Sequence, residues 1–295
     1  MLAPFGSVRL RFRLLASLTG YAITAFVAWF LLTGYPGWAG RDVDLWLRVG
    51  AQVRDGISPY GDTGLGTSFY YAPPWALLLG ATTWIGKPLF WLMTALLEIA
   101  ALRYIAGSWL RVGYFGLCFL TGAELVSGAF NLVVAAGLAA AIRGDSRLAA
   151  FTALAKLSPA LAIREWRGPA VVLGVAALVT LPVLGWWGDW LTALAGAPAA
   201  QATLGYYQLP LAARLLVALA ILGLWRSPRA GALAAAVAIP GLYAISFVLL
   251  YAVIAPPKAQ TVLGTSGTVD ASARSPILTR RWGLTGVPFR RATRA

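Results

Sequence analysis

The segment from about Leu14 to Gly34 is a continuous apolar run that follows three arginines, Arg9, Arg11 and Arg13. A helix needs about 20 predominantly apolar residues to cross the hydrocarbon core of a bilayer, and this run supplies them. A cleaved signal peptide usually has a shorter apolar core and a small-residue cleavage site. The sequence therefore predicts an uncleaved first transmembrane helix, with its amino end in the cytoplasm because positive residues favour that side.

Apolar character continues through most of the chain. Of its 295 residues 59% are hydrophobic and 12% are charged, and the mean hydropathy is +0.74. A soluble domain is about half apolar and about a quarter charged, so we expect an all-α, polytopic helical bundle in the plasma (inner) membrane. The net charge of +14 is interpreted as arginines that hold the topology and meet anionic lipid. Nucleic acid is not a predicted partner, because no basic stripe lies on a soluble fold.

The residue types that are missing restrict the chemistry. The sequence contains no histidine and a single cysteine, Cys118. A disulfide framework, a histidine-ligated metal, a histidine general base and a serine–histidine triad are therefore excluded. Acid–base chemistry would have to use Asp, Glu, Lys, Tyr or Cys.

Further apolar segments predict the remaining spans, at about residues 74–86, 89–106, 168–185, 209–225 and 230–254. Two regions leave alternatives open. Residues 112–142 are either two short helices or one long helix broken within 121–131. Residues 147–164 are either a re-entrant pair bent at Pro159 or one short helix.

Composition also divides the chain into a membrane part and a tail. Residues 1–255 are predicted to form the transmembrane domain, with a first extracytoplasmic loop at 35–72. Residues 256–295 are rich in Ser, Thr, Gly and Pro and are basic, which predicts a disordered tail.

The first loop gathers four of the ten acidic residues of the chain, Asp42, Asp44, Asp55 and Asp62. Residues 45–54 within it predict a short amphipathic helix on the membrane surface. If the backbone is helical around Asp42 and Asp44, their side chains point about 200° apart, so only one can face a given pocket. These two carboxylates are either a general base at the lipid–water boundary or solvated loop residues.

Several charged or polar residues lie within apolar segments. Lys156 is predicted to lie in a helix, where a charge at membrane depth costs roughly 2.5–3.5 kcal/mol. It either snorkels to the surface or binds an anionic group such as a lipid phosphate. Glu124 and Asn131 flank the predicted helix break, and such a break is tolerated at depth where it lines a cavity or is buried in protein. Glu98 is interpreted as structural.

Three stretches together resemble glycosyltransferase family 87, the polyprenyl-phosphate-mannose-dependent α-mannosyltransferases of the membrane-embedded C superfamily. They are the loop pattern D-x-x-x-W…G-A…D-G-I-S-P-Y…F-Y-Y-A-P-P, the sequence SGAFNLVVAAGLAAAIRGDSR at 127–147, and ALAKLSPALAIREWRG at 153–168. The resemblance covers about residues 40–225. Ala129 and Phe130 stand where the family usually has Gln before its Asn, and the family's later helices are absent. The chain therefore resembles a short or truncated member.

The resemblance implies a fold of the glycosyltransferase C type and an inverting transfer of a mannosyl or other hexosyl unit. Asp42 matches the family's general base, and Asp44 is the second candidate. The substrate-binding residues that the resemblance and the loop composition suggest are Lys156, Asn131, Arg41, Arg48, Tyr60 and Tyr71. Lys156 would hold the donor phosphate with help from loop arginines, and no metal or other cofactor is required.

The implied partners are a polyprenyl-phosphate-linked sugar donor, a glycolipid or glycan acceptor of the cell envelope, and membrane lipids. Two other interpretations stay open. The chain could be a catalytically inactive membrane scaffold related to this family, or a small lipid or solute transporter. A transporter predicts polar residues spread along several helices, and the spans here are too apolar for that.

Overall fold

The computed structural model describes residues 4–61, 69–202, 210–239 and 244–256. Within these ranges every regular element is helical and no strand occurs. The prediction of an all-α protein is confirmed. Asp62 and almost all of the predicted tail, residues 257–295, lie outside the described residues.

The α-helices follow one another with short connections. They are α1 (Pro4–Gly34), α2 (Arg41–Arg54), α3 (Pro73–Thr82), α4 (Lys87–Ala106), α5 (Trp109–Gly116), α6 (Phe119–Ser127), α7 (Asn131–Ile142), α8 (Arg147–Ala153), α9 (Arg167–Val179), α10 (Trp186–Ala202), α11 (Leu211–Leu224), α12 (Pro228–Val237) and α13 (Tyr251–Ile254). Short 3-10 helices occupy Pro36–Trp38, Thr83–Ile85, Ser158–Ala162, Leu181–Val183 and Ala244–Leu250.

Two helices are long and apolar enough to cross a membrane, namely the part of α1 from Leu10 to Gly34 and the whole of α4. The predicted helices at 14–34 and 89–106 are therefore confirmed as candidate spans. Helices α6 and α7 pass the same criterion only as a pair, and they are bent by 115° at their junction. The described part of the chain thus offers two candidate spans, or three if the bent pair is counted as one.

The other predicted spans correspond to shorter helices. Helices α3, α9 and α11 have 10, 13 and 14 residues, or about 15–21 Å of helix at 1.5 Å per residue. A continuous span at 230–254 was a wrong prediction, because α12 ends at Val237 and the chain from Ala244 to Leu250 is a 3-10 helix. The sequence has a proline at position 240, and proline has no N–H with which to continue a helix.

Helix α1 packs against α5 through close approach of the two backbones. A methyl group on Gly20 would lie 1.7 Å from the Gly113 carbonyl oxygen, and one on Gly113 would lie 2.4 Å from the Ser17 carbonyl oxygen. The Tyr21 hydroxyl donates a hydrogen bond of 2.7 Å to the Trp109 carbonyl. Small residues at such a crossing let helices approach closely where burial from water contributes little to their association.

The segment between Arg143 and Arg167 leaves one face of the molecule and returns to it. Its first helix, α8, packs along α7, where a methyl group on Gly137 would lie 2.2 Å from Thr152 Oγ1. The chain then turns through the 3-10 helix that contains Pro159. Residues 144–147 at one end of this segment, and residues 165 and 167–169 at the other end, line one cleft. Residues 147–164 are therefore not one short helix, and the bend at Pro159 agrees with the other alternative.

The Arg143 guanidinium connects the carboxyl end of α7 with the carboxyl end of α4 and with the chain at Pro256. It donates hydrogen bonds of 2.9 Å to the carbonyls of Tyr104 and Ile105, and a third of 3.2 Å to the carbonyl of Pro256. A cation near the carboxyl end of a helix complements the helix dipole and its unpaired carbonyl groups. The carboxyl ends of α4 and α7 therefore lie on the same face.

The glycine crossing of α1 and α5 predicts a large effect from one added methyl group. Gly113→Ala should lower the free energy of unfolding by about 1–3 kcal/mol, because the methyl group meets backbone atoms that cannot rotate away. The measurement is denaturant unfolding of the detergent-solubilised protein. Gly174→Ala in α9 is the control, because nothing lies within 4 Å of its added methyl group. Equal effects of the two substitutions would contradict the close crossing.

The re-entrant segment predicts which residues are accessible from one side of the membrane. Asp145→Cys and Glu165→Cys, each in a Cys118→Ser background, should react with a membrane-impermeant maleimide from the same side of sealed vesicles. Both native side chains are exposed. Labelling from opposite sides would mean that residues 147–164 cross the membrane.

Candidate functional site

Helix α2 is anchored on the junction between α6 and α7. It follows Gly40, which has a left-handed backbone (φ 65°) and donates a hydrogen bond of 2.9 Å to the Val126 carbonyl. The Trp46 indole N–H donates a bond of 3.0 Å to the Gly128 carbonyl. The predicted surface helix at 45–54 is confirmed as a helix, and it begins earlier, at Arg41. The first turn of α2, with Asp42 and Asp44, therefore lies against the helix junction.

The junction itself has an unusual backbone. Gly128 and Phe130 both have left-handed angles, with φ of 75° and 58°, and Phe130 is the one non-glycine residue with positive φ among those described. Such a conformation costs about 1–3 kcal/mol and persists where the surroundings hold it. Here the ring of Phe130 packs against Trp46 and Trp75, with ring centroids 5.5 and 5.6 Å away. The Tyr71 hydroxyl also donates a bond of 3.3 Å to the carbonyl of the intervening residue, Ala129.

Two buried carboxylates accept the first backbone N–H groups of α7. Glu124 accepts hydrogen bonds from the backbone N–H of Asn131 and from its side-chain Nδ2, the latter at 3.0 Å. Glu98 accepts one of 3.1 Å from the backbone N–H of Leu132. Both glutamates are 0% exposed. The amino end of a helix has unpaired N–H groups and a positive dipole end, so it is a favourable place for buried negative charge.

Lys156 reaches the same helix end from the re-entrant segment. Its Nζ donates a hydrogen bond to Asn131 Oδ1. The prediction that Lys156 lies within a helix is wrong, because α8 ends at Ala153 and the next three residues form a turn. The turn carries Lys156 to the amino end of α7, where Glu124, Asn131 and Lys156 form a continuous hydrogen-bonded chain.

Asp42 faces this chain from α2. Its side chain is half-buried. Burial raises the pKa of Asp42 above its usual 3.8, while the positive charges of Lys156 and Arg41 oppose the increase. The carboxylate of Asp42 on α2 is therefore close enough to the ammonium of Lys156 for the two charges to interact. We refer to Asp42, Glu98, Glu124, Asn131 and Lys156 as the polar cluster.

Tyr71 and Tyr60 connect the first loop to this region. Tyr71 is buried, and burial together with the negative charge of Asp42 raises the pKa of its hydroxyl. Tyr60 donates a hydrogen bond of 2.8 Å to the Tyr71 carbonyl, and burial followed by the charge of Asp189 raises its pKa as well. Both phenols therefore stay neutral at physiological pH and act as hydrogen-bond donors.

The structure separates Asp44 and Arg48 from the polar cluster. Asp44 Oδ1 lies 2.7 Å from Lys87 Nζ, and both side chains are 44% exposed. The expectation that only one of the two loop aspartates faces a common site is confirmed. Arg48 is exposed on α2 and takes no part in the contacts of the cluster, whereas Arg41, also exposed, lies next to Asp42.

The interpretation of Glu98 as structural agrees with its hydrogen bond to the backbone of α7, but the sequence does not indicate which helix it contacts. The position of Glu124 at the helix break also agrees with the prediction, but its bonds to Asn131 were not predicted. The predicted break indicates that acceptors are needed, since a helix that begins inside protein has unpaired N–H groups in its first turn, but it does not identify Glu98 as one of them.

Comparison with protein-family models, with curated proteins and with solved structures gives no match for this chain. Within the described ranges, no three His, Cys, Asp or Glu side chains are grouped so that they could hold a metal ion.

The environment of Asp42 predicts a gain in stability when its charge is removed. An acid whose pKa is raised on folding stabilises the folded state most below its unfolded pKa, and this stability is lost as the pH rises through the folded pKa. Asp42→Asn should therefore unfold at higher denaturant than the native protein at pH 7, and the difference should shrink towards pH 4.

The matched control is Asp44→Asn. It removes an exposed ion pair and should cost less than about 1 kcal/mol. If Asp42→Asn lowers the free energy of unfolding at pH 7, the ionised Asp42 side chain does not destabilise the folded protein, and this prediction is wrong.

Proposed function

We propose that this chain is a membrane-embedded inverting glycosyltransferase. It moves a mannosyl or other hexosyl unit from a polyprenyl-phosphate donor to an envelope glycolipid or polysaccharide. The observation that carries the proposal is that Lys156, from a separate segment, hydrogen-bonds Asn131 at the amino end of α7, where its charge also lowers the pKa of Asp42 on α2. A proton acceptor beside a phosphate-binding cation is the pair that such a transfer needs.

In the proposed reaction the acceptor hydroxyl gives its proton to Asp42 while its oxygen attacks the anomeric carbon of the donor. A new carbon–oxygen bond forms on one face of the sugar as the bond to phosphate breaks on the other, so the configuration inverts. The electron pair of the breaking bond leaves with the polyprenyl phosphate. The raised pKa of Asp42 suits this role, because a base works best when its pKa approaches the working pH.

Lys156 supplies the positive charge for the leaving phosphate. An ammonium has three N–H donors, and in the described part of the chain one of them is used, by Asn131 Oδ1. Two donors remain for phosphate oxygens. Arg41, whose charge also reaches Asp42, is the second cation of the proposed donor site.

The distribution of charge supports a multi-pass arrangement with the first loop outside the cytoplasm. Asp44 and Lys87 lie at the amino end of α4, and Arg143 lies at its carboxyl end. The cleft on the Arg143 face also includes Arg147 and Arg167. Arginines concentrate on the cytoplasmic side of membrane proteins, so the face with Arg143 is the proposed cytoplasmic face.

The proposal predicts different effects for the two loop aspartates. In membranes supplied with polyprenyl-phosphate-linked radiolabelled mannose, Asp42→Asn should lower transfer to the acceptor at least about 100-fold, within the range for loss of a general base. Asp44→Asn should keep transfer within a few-fold of the native level, since it faces Lys87.

Two outcomes would contradict the proposal. Unchanged transfer by Asp42→Asn would remove Asp42 as the base. Absence of transfer from every polyprenyl-phosphate sugar, with the native protein folded, would favour a non-catalytic membrane scaffold.

A further inference from the structure

We infer that Glu124 is a positioning residue that aims the Lys156 ammonium at the donor phosphate, acting through the side-chain amide of Asn131. The inference rests on the proposed function, because it assigns a purpose to a buried carboxylate that the transfer step itself does not use. Glu124 is 0% exposed and Asn131 is 1% exposed. Their contact is therefore shielded from water, and hydrogen bonds are stronger in such a surrounding than in water.

The carboxyl group of Glu124 determines the orientation of the Asn131 side-chain amide. Both carboxyl oxygens of Glu124 accept hydrogen bonds from Asn131, one from its backbone N–H and one from its side-chain Nδ2 group. The amide oxygen then points away from Glu124 and accepts the hydrogen bond from Lys156. The backbone N–H of Asn131 also donates to Glu124, so the residue is held at two points.

Because Glu98 accepts a backbone N–H of α7, Glu124 can bind the Asn131 side chain as well. Glu98 accepts the N–H of Leu132, the next donor along α7, so the first two N–H groups of the helix are divided between two carboxylates. Glu124 can therefore use its second oxygen for the Asn131 side chain. The division explains why two glutamates from different helices meet at one helix end.

The amide between Glu124 and Lys156 also keeps the ammonium available. A carboxylate in direct contact would pair with the lysine and compete with a phosphate for it. An intervening amide fixes the position of Nζ with one hydrogen bond. The positive charge of Lys156 still interacts with Glu124, Asp42 and Glu98. Lysine has a flexible four-carbon stem, so without this bond the ammonium would have no fixed direction.

The test uses two substitutions that exchange the carboxylate and the amide. Glu124→Gln removes the orientation lock, because a glutamine amide can either donate or accept. Asn131→Asp alone places two carboxylates against each other. The double variant restores a complementary hydrogen-bonded chain with the original net charge, but it puts a carboxylate directly against Lys156.

The two readouts are the free energy of unfolding and the binding of a short-chain polyprenyl monophosphate to the full chain in lipid nanodiscs, by titration calorimetry. We expect Glu124→Gln to weaken phosphate binding about tenfold. The double variant should recover stability to near the native value while phosphate binding stays weak. Recovery of both properties together would show that Glu124 has only a structural role and would overturn the inference.

Two further variants separate this inference from the proposed function. Glu165→Gln, the same chemical change at an exposed position, should leave binding unchanged. Lys156→Ala should weaken binding at least as much as Glu124→Gln. If Lys156→Ala has no effect, the proposed donor site is wrong. If Lys156→Ala weakens binding and Glu124→Gln does not, the donor site stands and the positioning role is overturned.

Discussion

A helix that begins in the interior of a protein must find acceptors for its first backbone N–H groups, and α7 meets this requirement with two glutamates. The chain bends by 115° between α6 and α7, so the amino end of α7 lies inside the protein instead of at a membrane surface. Glu124 and Glu98 bind the first two N–H groups. Unsatisfied backbone groups in an apolar environment cost several kcal/mol each, so the bend and the two carboxylates depend on each other.

The rest of the site is arranged around this helix end. Helix α2 binds the bend through Gly40 and Trp46, and this contact brings Asp42 towards Lys156. The re-entrant segment supplies Lys156 from the opposite face of the molecule. The amino end of α7, helix α2 and the turn at Lys156 therefore meet at one place. There the rings of Trp46 and Trp75 pack against Phe130, whose backbone is strained.

Apolar run lengths predicted the helices α1 and α4, and the TGAELVSGAFN stretch indicated the break, because small and polar residues interrupt an otherwise apolar pattern. The opposite directions of Asp42 and Asp44 followed from helical geometry alone. Pro159 indicated a bend in this segment as one alternative, but the end of α8 at Ala153, which leaves Lys156 in a turn, was not predicted. The role of Glu98 depends on its distance from Leu132 in the folded chain, which a single sequence does not contain.

The depth of the polar cluster has a consequence for the surrounding lipid. Helix α4 has 20 residues and is about 30 Å long, close to the thickness of the hydrocarbon core. Glu98 lies near the middle of α4, so in the proposed membrane arrangement the cluster around it lies near the middle of the hydrocarbon core. A charged side chain such as Lys156 at that level draws in water and makes the adjacent bilayer thinner. The headgroup layer next to α2 should therefore dip towards the centre of the membrane, which shortens the distance that a lipid phosphate must travel to reach Lys156.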